Sequence, residues 1–455
     1  MFKPGGYEAK NIDGLILLNI WAHYLASNNP EKRKMIFAGL GKPSYILNQD
    51  IAIAEADYWN RYVAANQEVR EFLSKDIDFS DQYCDDMIKR STAIDYGLPA
   101  GEHESRARMA TALSEWYRQP IDAENIIFSV GALAMLRMLF HIINEKNPNG
   151  HIITPVPFYP YYNLAEHNNN LHLIDVMDQP GYRLTAHALK KSIDQLTGKT
   201  INAFLFCDPS NPVGTVIGED ELKKIAEVLK TTSPDIPIIL DEAYCEMVFS
   251  SKQHISLLTV APELKDRLVV LRSATKALSA SGERMAVTIC FNDMLKEQLV
   301  NETAFTYLHT PKSLQYGYSH AMANFMPEKR NNLSRFYKMQ VELATERLKK
   351  MHAQMPNPEY KIEGTFYVLA DLSALLGTPF PADAQQVLGK KDTVTTDEDI
   401  CYSLLFNDQV MISPLSYFGV DPHKGFVRIT CSAGIAGINE LMDRIENRLV
   451  LAKQL

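Results

Sequence analysis

One lysine near the middle of the sequence stands where covalent chemistry is possible. Lys276 lies in the segment RSATKALSASGER, residues 272–284, directly after the apolar run 268–271, which is typical of a buried strand. An amine that is desolvated, or placed near positive charge, forms Schiff bases with carbonyl compounds. Most lysines are solvated, however, and the local segment alone favours that interpretation. The case for chemistry at Lys276 therefore depends on the residues at the ends of the other strands.

Two strand candidates upstream end in a glycine turn and in an aromatic loop. After residues 126–129 the chain passes through Gly131 and Ala132 into a helical stretch, whose free N–H groups suit a phosphate. Many strand-to-helix turns contain glycine, so this signal is weak alone. After residues 151–154 the segment PVPFYPYY places Tyr159 in a rigid aromatic wall that can stack on a flat ring. A packed loop explains that segment equally well.

Two further strand candidates end in polar groups with fixed positions. The segment DPSNPVGT, residues 208–215, holds Asn211 between two prolines, where its amide can make a directional hydrogen bond. The segment DEAY places Asp241 directly after an apolar strand, where a carboxylate needs a partner. A protonated ring nitrogen would be such a partner, and Tyr244 could reach a ring oxygen. A plain turn at Asn211 and a loop-capping role for Asp241 are the ordinary alternatives.

All of these residues come after strands of one alternating pattern. Helical stretches such as 132–144 and 220–230 separate most of the strand candidates, which lie at 126–129, 151–154, 171–176, 203–207, 236–240, 268–271 and 287–291. This alternation predicts an α/β fold with a mostly parallel seven-stranded sheet covered by helices on both faces. Ligands bind at the carboxyl ends of the strands in such sheets, so the site candidates are expected to converge.

The pattern changes after about residue 325. A long helix is predicted over 327–352, strands over 360–372, 410–413 and 426–431, and a last helix over 438–453. These elements predict a second, smaller α+β lobe, as expected for a chain of 455 residues. We expect a large domain over 81–325 and a small domain over 326–455. The N-terminal segment 1–80 is expected to join the small domain.

Composition and charge exclude several classes of function. Apolar residues make up 46% and charged residues 22%, which is ordinary for a globular protein. The net charge of -9 disfavours nucleic acid and anionic membranes as partners. The 6 cysteines form no CxxC pair, which argues against a metal site or a disulfide scaffold and fits a reducing cytoplasm. No apolar run approaches the length of a membrane span, and residues 15–26 favour an amphipathic helix over a signal peptide.

Taken together and in order, these motifs carry a family resemblance. The glycine turn, the aromatic wall, SNPVGT, DEAY and S-x-T-K followed by Arg284 resemble the fold-type I, pyridoxal-phosphate-dependent aminotransferases of class I/II. The resemblance runs from about Gly39 to Ser432 and so covers most of the chain. It implies the PLP-dependent transferase fold, pyridoxal 5′-phosphate as cofactor, and transfer of an amino group from an L-amino acid to a 2-oxo acid.

The resemblance also implies a role for each residue around the cofactor ring. Lys276 would form the internal aldimine and then carry the proton between the substrate Cα and the cofactor. Asp241 would keep the pyridine nitrogen protonated, which makes the ring an electron sink. Four more residues would contact the ring: Asn211 and Tyr244 at its oxygen, and Tyr159 and Ala243 on its two faces.

The cofactor phosphate would have its own set of ligands. The resemblance implies the amides of Gly131 and Ala132, the Ser273 hydroxyl and the Arg284 guanidinium, which suits a bidentate contact with a dianion. Tyr96 resembles the family tyrosine that reaches the phosphate of the neighbouring subunit. The resemblance therefore implies a homodimer with two shared sites.

The substrate would be bound by residues from both ends of the chain. Arg428 would clamp the α-carboxylate, Gly41 would place its backbone close to the substrate, and Asn211 would assist. Two positions depart from the family pattern: Lys42 stands where many relatives carry an acid, and Ala286 where a glycine is common. Residues 302–319 contain no arginine, which weakens the case for a strict dicarboxylate enzyme of the subgroup that uses one there.

Two alternative functions stay open at this point. A lyase or decarboxylase similar to 1-aminocyclopropane-1-carboxylate synthase would use the same cofactor residues. A cofactor-binding regulator would be expected to carry a basic helix-turn-helix extension, and the segment ahead of residue 35 is too short for one. The sequence does not define the amino-acid donor, because scattered loop residues shape the side-chain pocket.

Overall fold

The computed structural model describes residues 13–28, 33–74, 81–91, 94–165, 170–250, 253–389 and 392–454. Its strands, numbered along the chain, are β1 (Ile36–Phe37), β2 (Ile126–Ser129), β3 (His151–Val156), β4 (Asn170–Asp175), β5 (Ile201–Cys207), β6 (Ile238–Asp241), β7 (Leu268–Ser273), β8 (Ala286–Cys290), β9 (Tyr367–Asp371), β10 (Val410–Met411), β11 (Ser413–Pro414) and β12 (Phe426–Thr430).

The helices are numbered in the same way. They are α1 (Gly14–Ser27), α2 (Gln49–Leu73), α3 (Asp81–Lys89), α4 (His103–Tyr117), α5 (Ala132–Lys146), α6 (Ala186–Gln195), α7 (Glu219–Lys230), α8 (Leu257–Val260), α9 (Ala274–Ala277), α10 (Asp293–Tyr307), α11 (Lys312–Ala323), α12 (Pro327–Lys350), α13 (Ala382–Leu388), α14 (Asp397–Asp408) and α15 (Gly434–Ala452). Within the described ranges, none of these helices has both the length and the apolar content that a membrane span requires.

A seven-stranded sheet forms the centre of the larger lobe. Its strand order is β2-β8-β7-β6-β5-β3-β4. The strands from β3 to β7 pair in parallel, and β8 runs antiparallel to β2 and β7. The predicted α/β class with a mostly parallel sheet is therefore confirmed.

Helices cover both faces of this sheet, and for that reason its central strands consist of continuous apolar residues. Leu205 and Ile239 pack on one face against α5 and α10. Phe206 and Leu240 point to the opposite face, which α4, α6, α7 and α11 cover. Each side chain is at most 6% exposed, and burying a side chain of this size contributes about 1.5–3 kcal/mol. Successive residues alternate between the two faces, which fixes the face on which any strand-end side chain lies.

The smaller lobe is built on an antiparallel sheet of order β11-β12-β9, with α12, α14 and α15 around it. The predicted strand over 360–372 is wrong in length, since only β9 forms. The N–H groups of Glu363 and Gly364 both donate to the carbonyl of Gly214 at 2.8 and 3.0 Å, and Thr365 has a φ of 65°. These contacts tie the preceding residues to the large lobe as a loop.

The N-terminal elements contact both lobes. Leu18 and Trp21 of α1 lie in the core of the small lobe, and β1 pairs with β10. Helix α2 packs along α11 of the large lobe, where the Tyr316 hydroxyl donates to Asp57 at 3.2 Å. The predicted domain boundaries at residues 80 and 325 stay a proposal.

Candidate active site

The carboxyl ends of three neighbouring strands lie side by side. In the sheet register Cys207 pairs with Asp241, and Asp241 pairs with Leu271. The loop that carries Asn211, the DEAY segment and the segment that carries Lys276 therefore leave the sheet at one edge. This is the edge at which open α/β sheets bind ligands.

Lys276 lies in the one-turn helix α9, directly after β7. Ser273 caps this turn, because its Oγ accepts the N–H of Thr275 at 3.2 Å. The Lys276 side chain reaches across to the N-terminal loop, where Nζ donates to the carbonyl oxygen of Gly41 at 2.5 Å. The amine is thus held between a loop of the N-terminal segment and the strand ends of the large lobe.

The surroundings of this amine favour its neutral form. Burial lowers the pKa of Lys276 from 10.5 to about 7, and the positive charges of Arg428 and Arg284 act in the same direction. The carboxylate of Asp241 opposes the shift. A lysine that is desolvated and faces two arginines is the kind of amine that acts as a nucleophile near neutral pH.

Two tyrosine hydroxyls lie close to the amine. Tyr244 and Tyr367 share a 2.7 Å hydrogen bond, and both side chains are buried. Gly41 leaves no space beside them: a Cβ there would lie 2.1 Å from the Tyr367 hydroxyl oxygen and 3.3 Å from Nζ of Lys276. The absence of a side chain at Gly41 is therefore a requirement of this packing.

Arg428, in β12 of the small lobe, points into the same region. Its Nη1 donates to Oδ1 of Asn211 at 2.9 Å, and its Nη2 donates to the carbonyl of Gly39. The guanidinium lies between the rings of Tyr367 and Phe418, at 4.2 and 4.5 Å from their centroids. Nε is buried without a partner, and no carboxylate among the described residues pairs with the group. Burial lowers the pKa of Arg428, so this cation suits an anionic ligand.

Asp241 is the acid of the site. The hydroxyl of Tyr162 donates to its Oδ2 at 2.7 Å, and the N–H of Ala243 donates to its Oδ1 at 3.3 Å. Burial raises the pKa of Asp241, while these two donors and Lys276 act against the rise. Among the described residues no cation forms an ion pair with this carboxylate, so it can accept a positively charged partner.

Tyr159 and Ala243 lie beside these groups. The ring of Tyr159 meets that of Tyr162 edge-to-face, with centroids 5.8 Å apart. Burial raises the pKa of the Tyr159 hydroxyl well above its usual range. Ala243 packs in one buried cluster with Tyr244 and Ala277.

A positively charged cradle lies at the start of α5. Gly131 caps this helix with a φ of 97°, and Ala132 is its first residue. A Cβ on Gly131 would lie 2.6 Å from Nη2 of Arg284, so the guanidinium stands directly over the helix N-terminus. Free helix amides and an arginine together suit a phosphate dianion. Ser273, the remaining predicted phosphate ligand, already hydrogen-bonds Thr275 with its hydroxyl.

Tyr96 is the one predicted site residue that lies apart from the others. Its side chain is 84% exposed, and its ring meets that of His309 edge-on at 6.3 Å. It does not join the site of its own chain.

The charges of the assembled site are unbalanced. The positive charges of Arg284 and Arg428 and the negative charge of Asp241 all act on the Lys276 amine. Each arginine can bind one anionic group of a ligand, such as a phosphate or a carboxylate. The arrangement therefore suits an anionic cofactor that carries a carbonyl group, together with an anionic substrate.

The comparisons with known proteins agree with this chemistry. A family model described as aminotransferase class I and II matches residues 65–445. The chain belongs to the class I and II aminotransferases. Enzymes of this family use pyridoxal phosphate, and the protein is accordingly a pyridoxal-phosphate-dependent aminotransferase.

The chain is similar to several aspartate aminotransferases at low sequence identity. An aspartate aminotransferase of Bacillus subtilis is 25% identical over 350 residues, which cover 75% of this chain and 81% of the relative. An aspartate aminotransferase of Rhizobium meliloti is 26% identical over 316 residues, or 68% and 71% of the two chains. The crystal structure of an aspartate aminotransferase from Rhizobium meliloti matches with a TM-score of 0.75 at 20% identity, over 99% of both chains. The last comparison shows the fold.

The residues of this aminotransferase fit pyridoxal phosphate. The Gly131 turn can take the phosphate, because no Cβ stands between the helix amides and Arg284. Asp241 can accept a protonated ring nitrogen, and the amine of Lys276 can react with an aldehyde. The buried Nε of Arg428, which lacks a partner, leaves a donor for a substrate carboxylate.

The sequence did not predict two residues of this site. Tyr162, which binds Asp241, is part of the aromatic segment after β3, but the sequence suggested only ring stacking or a packed loop there. Tyr367 lies in β9, 123 positions beyond its partner Tyr244, and no local motif marks it. Its signal is the contact with Gly41, which requires the fold.

Proposed function

We propose that this aminotransferase takes the amino group of an L-amino acid and passes it to a 2-oxo acid. In this proposal Lys276 anchors the cofactor covalently and later carries the proton at the substrate Cα. The observation that supports it best is the buried Lys276 amine, with a pKa of about 7, facing two arginines. Bound pyridoxal phosphate supplies an electron sink for the pair released at Cα.

The lowered pKa matters for both roles of Lys276. An amine with a pKa of 10.5 is only about 0.03% neutral at pH 7, whereas one with a pKa near 7 is about half neutral. The reactive fraction is thus about three orders of magnitude larger, which suits nucleophilic attack on the cofactor aldehyde. Once free, the same amine is a base and acid matched to neutral pH. The Gly41 carbonyl, 2.5 Å away, orients it.

Asp241 would hold the proton on the ring nitrogen. A buried carboxylate keeps its charge only with donors around it, and Tyr162 and the Ala243 amide supply them. In our proposal four residues contact the ring itself: Asn211 and Tyr244 at its oxygen, and Tyr159 and Ala243 on its faces.

The phosphate would be bound at the start of α5. We assign it to the amides of Gly131 and Ala132, to Arg284 and to the Ser273 hydroxyl. The hydroxyl of Ser273 would have to turn from Thr275 to make this contact, since it now donates there at 2.9 Å.

Arg428 would bind the substrate α-carboxylate. Its buried guanidinium hydrogen-bonds Asn211 and the Gly39 carbonyl, both neutral acceptors, so a carboxylate that enters gives it a stronger, charge-assisted partner. The backbone of Gly41 would lie beside the bound substrate.

We also propose a homodimer with shared sites, located in the cytoplasm. Tyr96 and Phe305 are 84% and 89% exposed, and Leu98 and Leu308 are 51% and 40% exposed. Exposed apolar side chains in such number suit an interface. Tyr96 would reach the cofactor phosphate of the neighbouring subunit.

A half-reaction tests the proposed function. The purified protein, loaded with pyridoxal phosphate, is mixed with single L-amino acids without an acceptor. L-Aspartate is the first donor to try, since several relatives are aspartate aminotransferases. We expect the absorbance of the lysine-bound cofactor to convert to that of the amine form, with one 2-oxo acid released per site. Release of carbon dioxide without an oxo acid would instead support the decarboxylase alternative.

A further inference from the structure

A second row of ionisable residues lies behind the active site. Cys207, Asp241 and Leu271 lie side by side in the sheet, because Cys207 pairs with Asp241 and Asp241 pairs with Leu271. The next residue along each strand is Asp208, Glu242 or Arg272, and these three residues form the second row. Side chains alternate between the faces of a sheet, so this row points away from the face of Asp241. The residues two positions before the members of this row point to the same face. They are Phe206, Leu240 and Val270, and they pack on the face opposite α5.

Arg272 is the most enclosed member of the row. It is 0% exposed, and its Nη2 forms an ion pair with Glu246, which is 2% exposed. Its Nη1 donates to the Tyr117 hydroxyl at 3.0 Å. The guanidinium also lies 4.6 Å from the centroid of the Trp116 ring. Directional contacts on several sides therefore fix one side chain of β7.

The other two members of the row are also tied in place. Glu242 accepts the Tyr117 hydroxyl at 2.6 Å on one oxygen and the Ser256 hydroxyl on the other. Asp208 binds His254 Nε2 at 2.6 Å and accepts the N–H of Ile217 at 3.0 Å, which closes the loop that carries Asn211. The hydroxyl of Tyr117 joins Arg272 to Glu242, so it links the ends of β6 and β7.

Stability alone does not account for such a network. Well-packed apolar side chains are often as stabilising as a buried ion pair, because the pair loses its hydration. What a charged network adds is direction, since each hydrogen bond fixes both a distance and an angle. The row thus fixes how far the end of β7 lies from the end of β6.

We propose that Arg272, held by Glu246 and Tyr117, is a positioning residue for Lys276. It lies one residue before Ser273 and four before Lys276, and Glu246 lies five after Asp241. The bridge between them sets the place of the lysine against the acid. The inference rests on the proposed role of Lys276, but its test does not.

The physical consequence is measurable without turnover. The pKa of Lys276 is lowered by burial and by Arg428 and Arg284, and all of these effects require that the amine stays in its place. If the end of β7 loses its anchor, the amine gains water and the pKa of Lys276 rises towards 10.5. The positioning role therefore predicts a change in the titration of one lysine.

The test compares Arg272→Met with the double variant Arg272→Met/Glu246→Met. In the full-length, cofactor-free protein, trace labelling with acetic anhydride at a series of pH values, read by mass spectrometry, gives the apparent pKa of Lys276. The single variant leaves Glu246 buried and unpaired and should lower Tm, whereas the double variant should recover most of that loss. Both should raise the pKa of Lys276 by about one unit, which lowers its labelling near pH 7 about fivefold.

A matched control lies at the other end of the same strand. Arg267 stands directly before β7 and is 8% exposed. Its guanidinium donates to the carbonyls of Ile236 and Leu229. Arg267→Met should lower Tm and leave the Lys276 titration unchanged. A double variant that recovers Tm and keeps the parental titration would show that the network only stabilises the fold, and would overturn the proposal. Should the methionine variants fail to fold, the Lys276 titration is measured in Tyr117→Phe, which lacks the hydroxyl that joins Arg272 to Glu242. An unchanged titration in this variant would also overturn the proposal.

Discussion

The hydroxyl of Tyr162 donates a 2.7 Å hydrogen bond to Oδ2 of Asp241, and both side chains are almost fully buried. Tyr162 belongs to the loop after β3, whereas Asp241 ends β6, so the contact joins two separate strand ends. Burial alone would push Asp241 towards its neutral form. The tyrosine therefore helps to keep the charge on which the proposed contact with the ring nitrogen depends.

Replacing Tyr162 with phenylalanine should move the pH profile. The loss of one donor raises the pKa of Asp241 further, because a charged carboxylate loses a hydrogen bond that its neutral form needs less. The acidic limb of the kcat/KM profile should therefore shift to higher pH, with about a tenfold loss at neutral pH. Tyr161→Phe is the matched control, since Tyr161 does not hydrogen-bond Asp241. Identical profiles for the two variants would contradict the assigned role.

Arg428→Gln should separate substrate binding from cofactor binding. The glutamine keeps one amide donor but loses the positive charge, so a substrate carboxylate loses its charge-assisted partner. We expect kcat/KM to fall about 10²–10³-fold, mostly through KM, with the cofactor absorbance retained. The control is Arg335→Gln, at an exposed position of α12. A normal KM in the Arg428 variant would remove this residue from the substrate site.

The sequence predicts the parts of the site that are local and misses those that depend on packing between lobes. Asp241 and Lys276 come directly after apolar strands, and such strand ends converge in any parallel sheet. The Tyr244–Tyr367 pair joins positions 123 residues apart, and only the docking of β9 brings them together. The predicted length of the strand over 360–372 was wrong for the same reason, because backbone contacts of Glu363 and Gly364 with Gly214 override the local strand pattern.

Gly41→Ala should damage the site through Tyr367. The new Cβ would lie 2.1 Å from the Tyr367 hydroxyl oxygen, so either the loop or the tyrosine must move. Such a shift breaks the Tyr244–Tyr367 hydrogen bond and displaces the carbonyl that holds the Lys276 amine. Activity should fall at least about tenfold. The double variant Gly41→Ala/Tyr367→Phe lacks the hydroxyl oxygen that the new Cβ would meet. Its activity should therefore be higher than that of Gly41→Ala alone. Failure of this rescue would place the cause elsewhere in the loop.

Lys276→Met should stabilise the cofactor-free protein in a pH-dependent way. In the unfolded chain the amine is protonated below 10.5, whereas in the folded protein it is protonated only below about 7. Between these values the unfolded state binds more protons, so the parental free energy of unfolding rises with pH across this window. The variant lacks this amine, so its advantage over the parent is largest below pH 7 and shrinks towards pH 10.5. The full difference is on the order of 3–5 kcal/mol.

Urea unfolding of both full-length proteins without cofactor, at pH 7 and at pH 9.5, measures this difference. We expect the gap in the free energy of unfolding between Lys276→Met and the parent to be smaller at pH 9.5 than at pH 7. Lys191→Met, which removes an exposed lysine of α6, controls for the general effect of losing one positive charge. A gap that stays constant between the two pH values would mean that the folded state does not lower the pKa of the Lys276 amine. The covalent role of Lys276 would then lack its physical basis.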